Sequence, residues 1–544
     1  MKNIYTKYKT ALLGVAFLSL VSCNDLDLSP TSKFTENNYW TSLEKANLIL
    51  NMAYNQMYNN NYFFSTEALS DNIYEGRGLS DEKRISSGQA DAANGRFENE
   101  WRECYAGIKT CHTFLDNIDK LENVDEEKKE NMKAEARFIR AYLFFRLTTW
   151  YGDVPLFFKD ITLSESKTVT RTSQSDVLAF VRKELAEVAE ILPAKEDYAQ
   201  SDRGRATSGA AIALLARTYL YSNDWANVAA TCEKLINTGN YGQYELFPSY
   251  EGLFLPENEY NNEVILDIQY VPVVRTWGNF FDFGPLSAGC RLNAFAPTQE
   301  LVNDYVMLNG KAIGETGSGY NEADMYSNRD PRLTATIVYH GYSWKNPDNS
   351  TQTIYIQPGT DPDTEALNEY RGQGTNATST GYYLRKYYDP TSITDMHSGL
   401  NLILVRYADV LLMYAEAKNE LGQMDATVWN ATIRAIRERA GFTDAAALEF
   451  NTSLDKESLR TIIRRERRCE LAIEGLRIFD IRRWKTAEIV LNGNPHGAKF
   501  GEPGIDNGFI RLEARSFNST RDYLWAIPQS QKDINPNLGQ NPNY

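Results

Sequence analysis

Residues 459–484 read LRTIIRRERRCELAIEGLRIFDIRRW. A helix through this stretch stacks positions three and four apart, so Leu459, Ile462, Ile463, Glu466, Glu470 and Ile473 share one face. Two of these six inward positions are glutamates. Arg464, Arg465 and Arg468 fall sideways or outward on the same helix, so both acids need neutralising from elsewhere. A buried carboxylate must be ion-paired, hydrogen-bonded or protonated. Paired carboxylates also raise glycosidase chemistry, with one acid and one base or nucleophile. One turn of helix separates these two, and a structural ion-pair network is the reading adopted. Arg406, Arg434, Arg437 and Arg140 are the candidate donors.

The run 464–475, RRERRCELAIEG, followed by Arg477, Phe479-Asp480 and Arg483-Trp484, resembles the signature of the SusD/RagB family, surface nutrient-binding lipoproteins of Bacteroidota. Further matches are AEARFIRAY at 134–142 with YGDVPL at 151–156, and APTQELV at 296–302 with RDPRL at 329–333. The tail, from LWAIPQS at 524–530 to the closing NPNY, carries another. These blocks keep the family's order from residue 134 to the last residue. The resemblance implies a non-enzymatic binding protein that captures polysaccharide or oligosaccharide. It would act as a lid over a SusC-like TonB-dependent transporter in the outer membrane. Within the family the rival is peptide capture, as for RagB-type members. Outside it the rivals are a surface glycoside hydrolase and a helical-repeat scaffold that binds only protein.

The N-terminus fits that location. Lys2, Lys7 and Lys9 precede an apolar run from Ala11 to Val21, and Ser22 precedes Cys23. This reads as a lipoprotein signal peptide over 1–22, too short for a membrane span, with Cys23 lipidated and 23–40 as a tether. Asn24-Asp25-Leu26-Asp27 resembles the export signal to the outer face of the outer membrane. Removing the three leader lysines from 57 basic residues leaves 54 against 72 acidic, a net of −18. That argues against a nucleic-acid partner. Cys104, Cys111, Cys232, Cys290 and Cys469 show neither a disulfide framework nor zinc spacing. His112, His340, His397 and His496 are scattered, so no cofactor, metal or catalytic residue is assigned.

Along the chain the periodicity predicts a mainly α fold, a degenerate tetratricopeptide-like scaffold of helix pairs with long irregular loops and a few short strands. Helices are expected at 41–58, 97–121, 127–150, 174–192, 207–237 (a hairpin opened at Trp225), 404–421 and 426–440. The expected division is one domain over 41–544. Its scaffold is 41–240 with 404–484, its loop-rich, ligand-binding insertion 240–400, and its tail 485–544. Short strands are expected at 263–269, 334–339, 353–356 and 382–387. Residues 361–365, DPDTE, read as a solvated acidic turn rather than a calcium loop.

Ligand residues are sought in the aperiodic stretches, because long loops on a packed scaffold are often functional. Asp71, Asn72, Tyr74, Arg77 and Trp101 come from the 62–99 loop and the helix beyond it. Trp277, Phe280, Phe281 and Phe283 come from TWGNFFDF at 276–283, the densest aromatic loop. The expectation is that the two stretches meet on one exposed face, with Trp277 stacking on a sugar and Asp71, Asn72 and Arg77 orienting it.

Overall fold

The computed structural model describes residues 39–362, 369–370 and 376–544. The leader, Cys23, most of the tether and residues 363–365 of the acidic turn lie outside them. The longer helices are α1 (Leu43–Met57), α2 (Gly95–Asn117), α3 (Glu126–Tyr151), α4 (Gln174–Ala189), α5 (Ser208–Leu220), α6 (Trp225–Asn237), α7 (Tyr407–Glu420), α8 (Lys456–Glu470) and α9 (Arg477–Arg483). All of these except α7 and α9 start at a side-chain cap. Ser42, Asn94, Asp125, Ser173, Thr207, Asp224 and Asp455 accept from backbone N–H groups of the first turns of α1 to α6 and α8. Gly152, at φ +72°, ends α3.

Neighbours in sequence are neighbours in space from α1 through α6, and the next layer is α7 on α6, then α8 on α7. The helical stack is therefore interrupted in sequence, between residues 237 and 407, but not in space. The inserted stretch holds short antiparallel pairs. β1 (Ile73–Glu75) joins β3 (Phe295–Pro297), and β2 (Val264–Ile268) joins β8 (Leu402–Arg406). Likewise β4 (Ile337–Val338) joins β7 (Tyr383–Leu384), and β5 (Tyr342–Lys345) joins β6 (Thr351–Ile354). One apolar cluster runs from Trp40 to Leu538 and includes residues of both the stack and the insertion.

Several local expectations change. The helix expected from Leu404 begins at Tyr407, because Leu402–Arg406 pairs with β2, Val264 facing Arg406. An apolar run suits either period, and the distant partner strand decides between them. Of the strand expected at 334–339, Ile337–Val338 is present as β4, while 334–336 belong to the helix Pro331–Thr336, capped by Asp330 with Pro331 in its first turn. The stretch 62–99 is not a surface loop. It contains the helices Asn60–Ser65 and Asp81–Ser86 and strand β1, and its residues 62–74 are buried. Finally, α8 stops at Glu470. Ile473 sits at φ +68°, so it reaches the core from a turn instead of from the helix face.

Candidate functional site

The two inward glutamates anchor a buried charge network. Glu470 accepts from Arg332 (2.8 Å) and Arg406 (2.6 Å), and also from Arg439. Glu466 accepts from Arg437 at 2.8 Å, while Arg332 approaches its other oxygen to 2.6 Å, off the hydrogen-bonding direction. Arg406 also holds Glu263 and Glu474, Arg439 holds Glu263, and Lys386 holds Glu474. Of the expected donors, Arg406 and Arg437 are present. Arg434 instead pairs with Glu438 and Glu449 at the surface, and Arg140 pairs with Glu184. Arg332 and Arg439 come from segments whose approach only the fold reveals. Arg468 does not point outward: it is buried against Asp71 and Asp304.

Burial would push the Glu470 carboxyl up, but Arg439, Arg406 and Arg332 outweigh it and hold it well below the usual range. Glu466 is lowered in the same way by Arg332 and Arg437. A glycosidase acid needs a raised pKa and an opening to substrate. These two glutamates have neither.

The aromatic loop also folds inward. Trp277 is 2% exposed, donates its indole N–H to the Leu400 carbonyl at 2.6 Å, and lies 5.1 Å from the Phe64 ring. Phe280, Phe281 and Phe283 are core residues, Phe283 against Phe64 and Phe295, and Phe280 against Tyr388. The two stretches do meet, but inside the molecule. Asp71 is buried between Arg468 and Arg477, and Asn72 bridges Arg468 and Glu67. Trp101, on α2, packs on Tyr105 and Tyr151. None of these side chains offers a face to a ligand here. Tyr74 and Arg77 differ: Tyr74 is the buried floor of an outward surface, and Arg77 is half-buried and donates to Asn376 at 3.4 Å.

That surface is built from half-buried rings gathered from distant segments. Tyr370 and Phe500 pack over Tyr74, Ile510 and Leu512. Phe500 meets Tyr370 and His340 edge-on, at 6.2 and 5.9 Å, and Tyr355 adjoins His340 at 6.1 Å. The next residue along from His340, Tyr339, lies flat on Tyr326 at 3.9 Å. The ring of Phe500 can settle there because Gly381, at φ +82°, has no Cβ; one would sit 2.9 Å from that ring. His340 Nδ1 accepts from the backbone N–H groups of Ile356 and Gln357, which places the ring proton on Nε2. Burial lowers the His340 pKa, so the imidazole is a neutral donor at neutral pH. Rings fixed by their edges, with an imidazole N–H among them, can take an apolar C–H face and its flanking hydroxyls together.

Comparison with known proteins assigns the chain. The model of the SusD family matches residues 267–544, and a second model, described as starch-binding and associating with the outer membrane, matches residues 25–220. The chain belongs to the SusD family. A SusD-like carbohydrate-binding protein from Bacteroides fragilis is 30% identical, with a TM-score of 0.82 over 92% of this chain and 99% of that one. A second SusD-like protein of that organism is 25% identical, with a TM-score of 0.78 over 94% and 99%. SusD-like protein P2 of Formosa agariphila is 26% identical over 99% of this chain and all of its own length.

The motifs that carry the SusD resemblance turn out to be the joints of the fold. In the tail, Trp525 stacks on Trp150 at 3.8 Å, and Asn541 donates to the carbonyls of Tyr151 and Trp525. The 464–484 run supplies the network glutamates and Arg467, which bridges Asp409 and Asp480. The SusD motifs therefore report scaffold. The ring surface lies outside them, and sequence reading missed His340, Tyr355, Tyr370 and Phe500. The aromatic pair around Tyr339-His340-Gly341-Tyr342 was its only local trace. Among the described residues, no helix is long and apolar enough to cross a membrane.

Proposed function

We propose that this SusD-family chain captures saccharides at the ring surface around His340 and Phe500 and passes them to a SusC-like TonB-dependent transporter. The single observation that carries the reading is the arc of half-buried rings held edge-on around His340 and Phe500, which suits the C–H faces of sugars. Two comparisons support the ligand class and the place: the 30% identical Bacteroides fragilis protein is a SusD-like carbohydrate-binding protein, and one matching family model is described as starch-binding and associating with the outer membrane. A shallow surface buries little area, and ordering and desolvation offset much of the gain. Affinity in the range of about 1 μM to 1 mM is expected, or about −8 to −4 kcal/mol. Such binding lets cargo pass on.

The test is binding of the purified chain to a polysaccharide panel and a peptide mixture, repeated with the double variant Tyr339→Ala/Tyr355→Ala. Glycan affinity should fall at least about tenfold with little change in melting temperature, and the bound glycan should keep its chain length. Peptide binding without glycan binding would move the reading to peptide capture. Release of new reducing ends would establish a hydrolase instead.

Anchoring is proposed at Cys23. Diacylglyceryl transfer needs its thiol, so Cys23→Ala should leave the protein soluble or unprocessed when membranes are fractionated. A variant still on the cell surface at the unmutated level removes the lipoprotein reading.

A further inference from the structure

A cleft of about 720 Å³ opens beside α3, α4, the turn from α5 to α6, α9 and the tail. Its apolar wall includes Tyr221 stacked on Phe479, with centroids 5.8 Å apart. Small-molecule sites are mostly apolar, span about 300–1,000 Å³ and carry a few placed polar groups. Here the charged groups are four cations: Arg483, which is paired with Glu416 and Asp480, and the three others, Arg182, Arg482 and Lys485.

Among the described residues these three form no ion pair, whereas Arg332 and Arg406 each hold several carboxylates. Arg482 is the most telling. It is 7% exposed, lies over the Trp150 ring at 4.9 Å, donates Nη2 to the Tyr523 carbonyl, and leaves Nη1 with no acceptor. A buried guanidinium without a counter-charge is costly unless something else completes it. Lys485, at φ +57°, holds its ammonium 3.8 Å from the Tyr523 ring centre. Arg182 donates to Thr218 and Ser222. Burial lowers the pKa of Arg482 to about 10, and burial followed by the charge of Arg482 lowers that of Lys485. The nearby acids are engaged elsewhere. Asp522 accepts from Arg521 and the Asn518 N–H, Glu488 from the Tyr523 hydroxyl, and Asp224 from the Asn227 N–H at the start of α6. All this occurs in a chain of net charge −15.

We propose that this cleft is a second ligand site, for a saccharide bearing an anionic group, with the sugar ring against Tyr221 and Phe479 and the anion held by Arg182 and Lys485 in the positive field of Arg482. A bare inorganic anion would leave most of the cleft and its aromatic wall unused. The site shares no residue with the ring surface around His340, so either can fail without the other.

Calorimetric titration with glucuronate, glucose and sodium sulfate tests it. Glucuronate should bind at least about tenfold more tightly than glucose, and the difference should shrink as ionic strength rises. The double variant Arg182→Gln/Lys485→Gln, altered only at the less buried cations so that the fold is kept, should lose that preference with its melting temperature unchanged. Tyr339→Ala/Tyr355→Ala should leave it intact. Equal affinity for glucuronate and glucose, or a preference that survives in the cation variant, overturns the proposal. Sulfate binding as tightly as glucuronate shows an ion site only and overturns the saccharide assignment. Loss of glucuronate binding in the tyrosine variant moves it to the other surface and overturns the second site.

Discussion

Glu470→Ala should destabilise the fold by about 3–5 kcal/mol, the cost of removing one partner from a buried pair. The carboxylate meets Arg332 and Arg406, both buried, and Arg439, whose side chain is 4% exposed. Urea unfolding monitored by tryptophan fluorescence measures the loss. A change below about 1 kcal/mol would mean the network behaves like a surface pair. Glu470→Gln should recover part of the loss, because an amide still accepts hydrogen bonds while lacking the charge. The deficit has a pH signature. Glu466, Glu470, Glu474, Asp71 and Asp409 all titrate lower in the folded chain than unfolded, buried yet held down by their arginines and, for Glu474, also by Lys386. Their contribution is complete above about pH 4 and is lost as pH falls through the folded values. Burial raises Glu75 and Glu259 to about 7 and Asp267 to about 6, and these act oppositely, losing stability as pH rises from about 4 towards those values. The gap between the Glu470→Ala variant and the unmutated chain should therefore be widest above about pH 4 and narrow below it, where acid neutralises Glu470 in the unmutated chain too.

Trp277→Ala carries the second large effect, about 3–5 kcal/mol for truncating a core aromatic. The ring fills space beside Phe64 and Tyr270, and its N–H satisfies the Leu400 carbonyl. The backbone at Trp277 also exchanges both hydrogen bonds with Ser398, at 2.9 and 2.8 Å, which fixes the ring's position. Melting temperature should fall clearly, and saccharide affinity of the folded fraction should not change. Trp277→Phe should lose less, since it keeps the packing against Phe64 and forfeits the indole hydrogen bond. Unchanged stability with lost binding would return Trp277 to a solvent-facing role.

Helices α1 to α6 were legible because each carries a sustained apolar stripe and a capping residue, signals that are local. Residues such as Leu50, Ala53 and Met57 on α1 are buried as their spacing requires. The need of Glu466 and Glu470 for partners was legible too, since it follows from their place on an apolar face. Of the arginines that answer it, Arg406 and Arg437 were expected, whereas Arg332 and Arg439 were not, because they arrive by tertiary approach. The aromatic loop misled for a related reason. Irregular sequence rich in rings is compatible with a surface platform or with a core built without period, and burial is decided by what folds over it. Here Phe64 and Leu400, both remote in the chain, cover Trp277.

By itself, then, the sequence determined the helical scaffold, the family and the charge balance. These are written in spacing, in ordered motifs and in composition, none of which depends on long-range contacts. The tertiary structure alone decided where the 240–400 insertion lies, which rings face outward, and which cations stay unmatched. Each depends on segments far apart in sequence, as when Tyr74, His340, Tyr370 and Phe500 form one surface. Contacts of that kind leave no periodic trace, because no single segment has to bury a continuous face to make them.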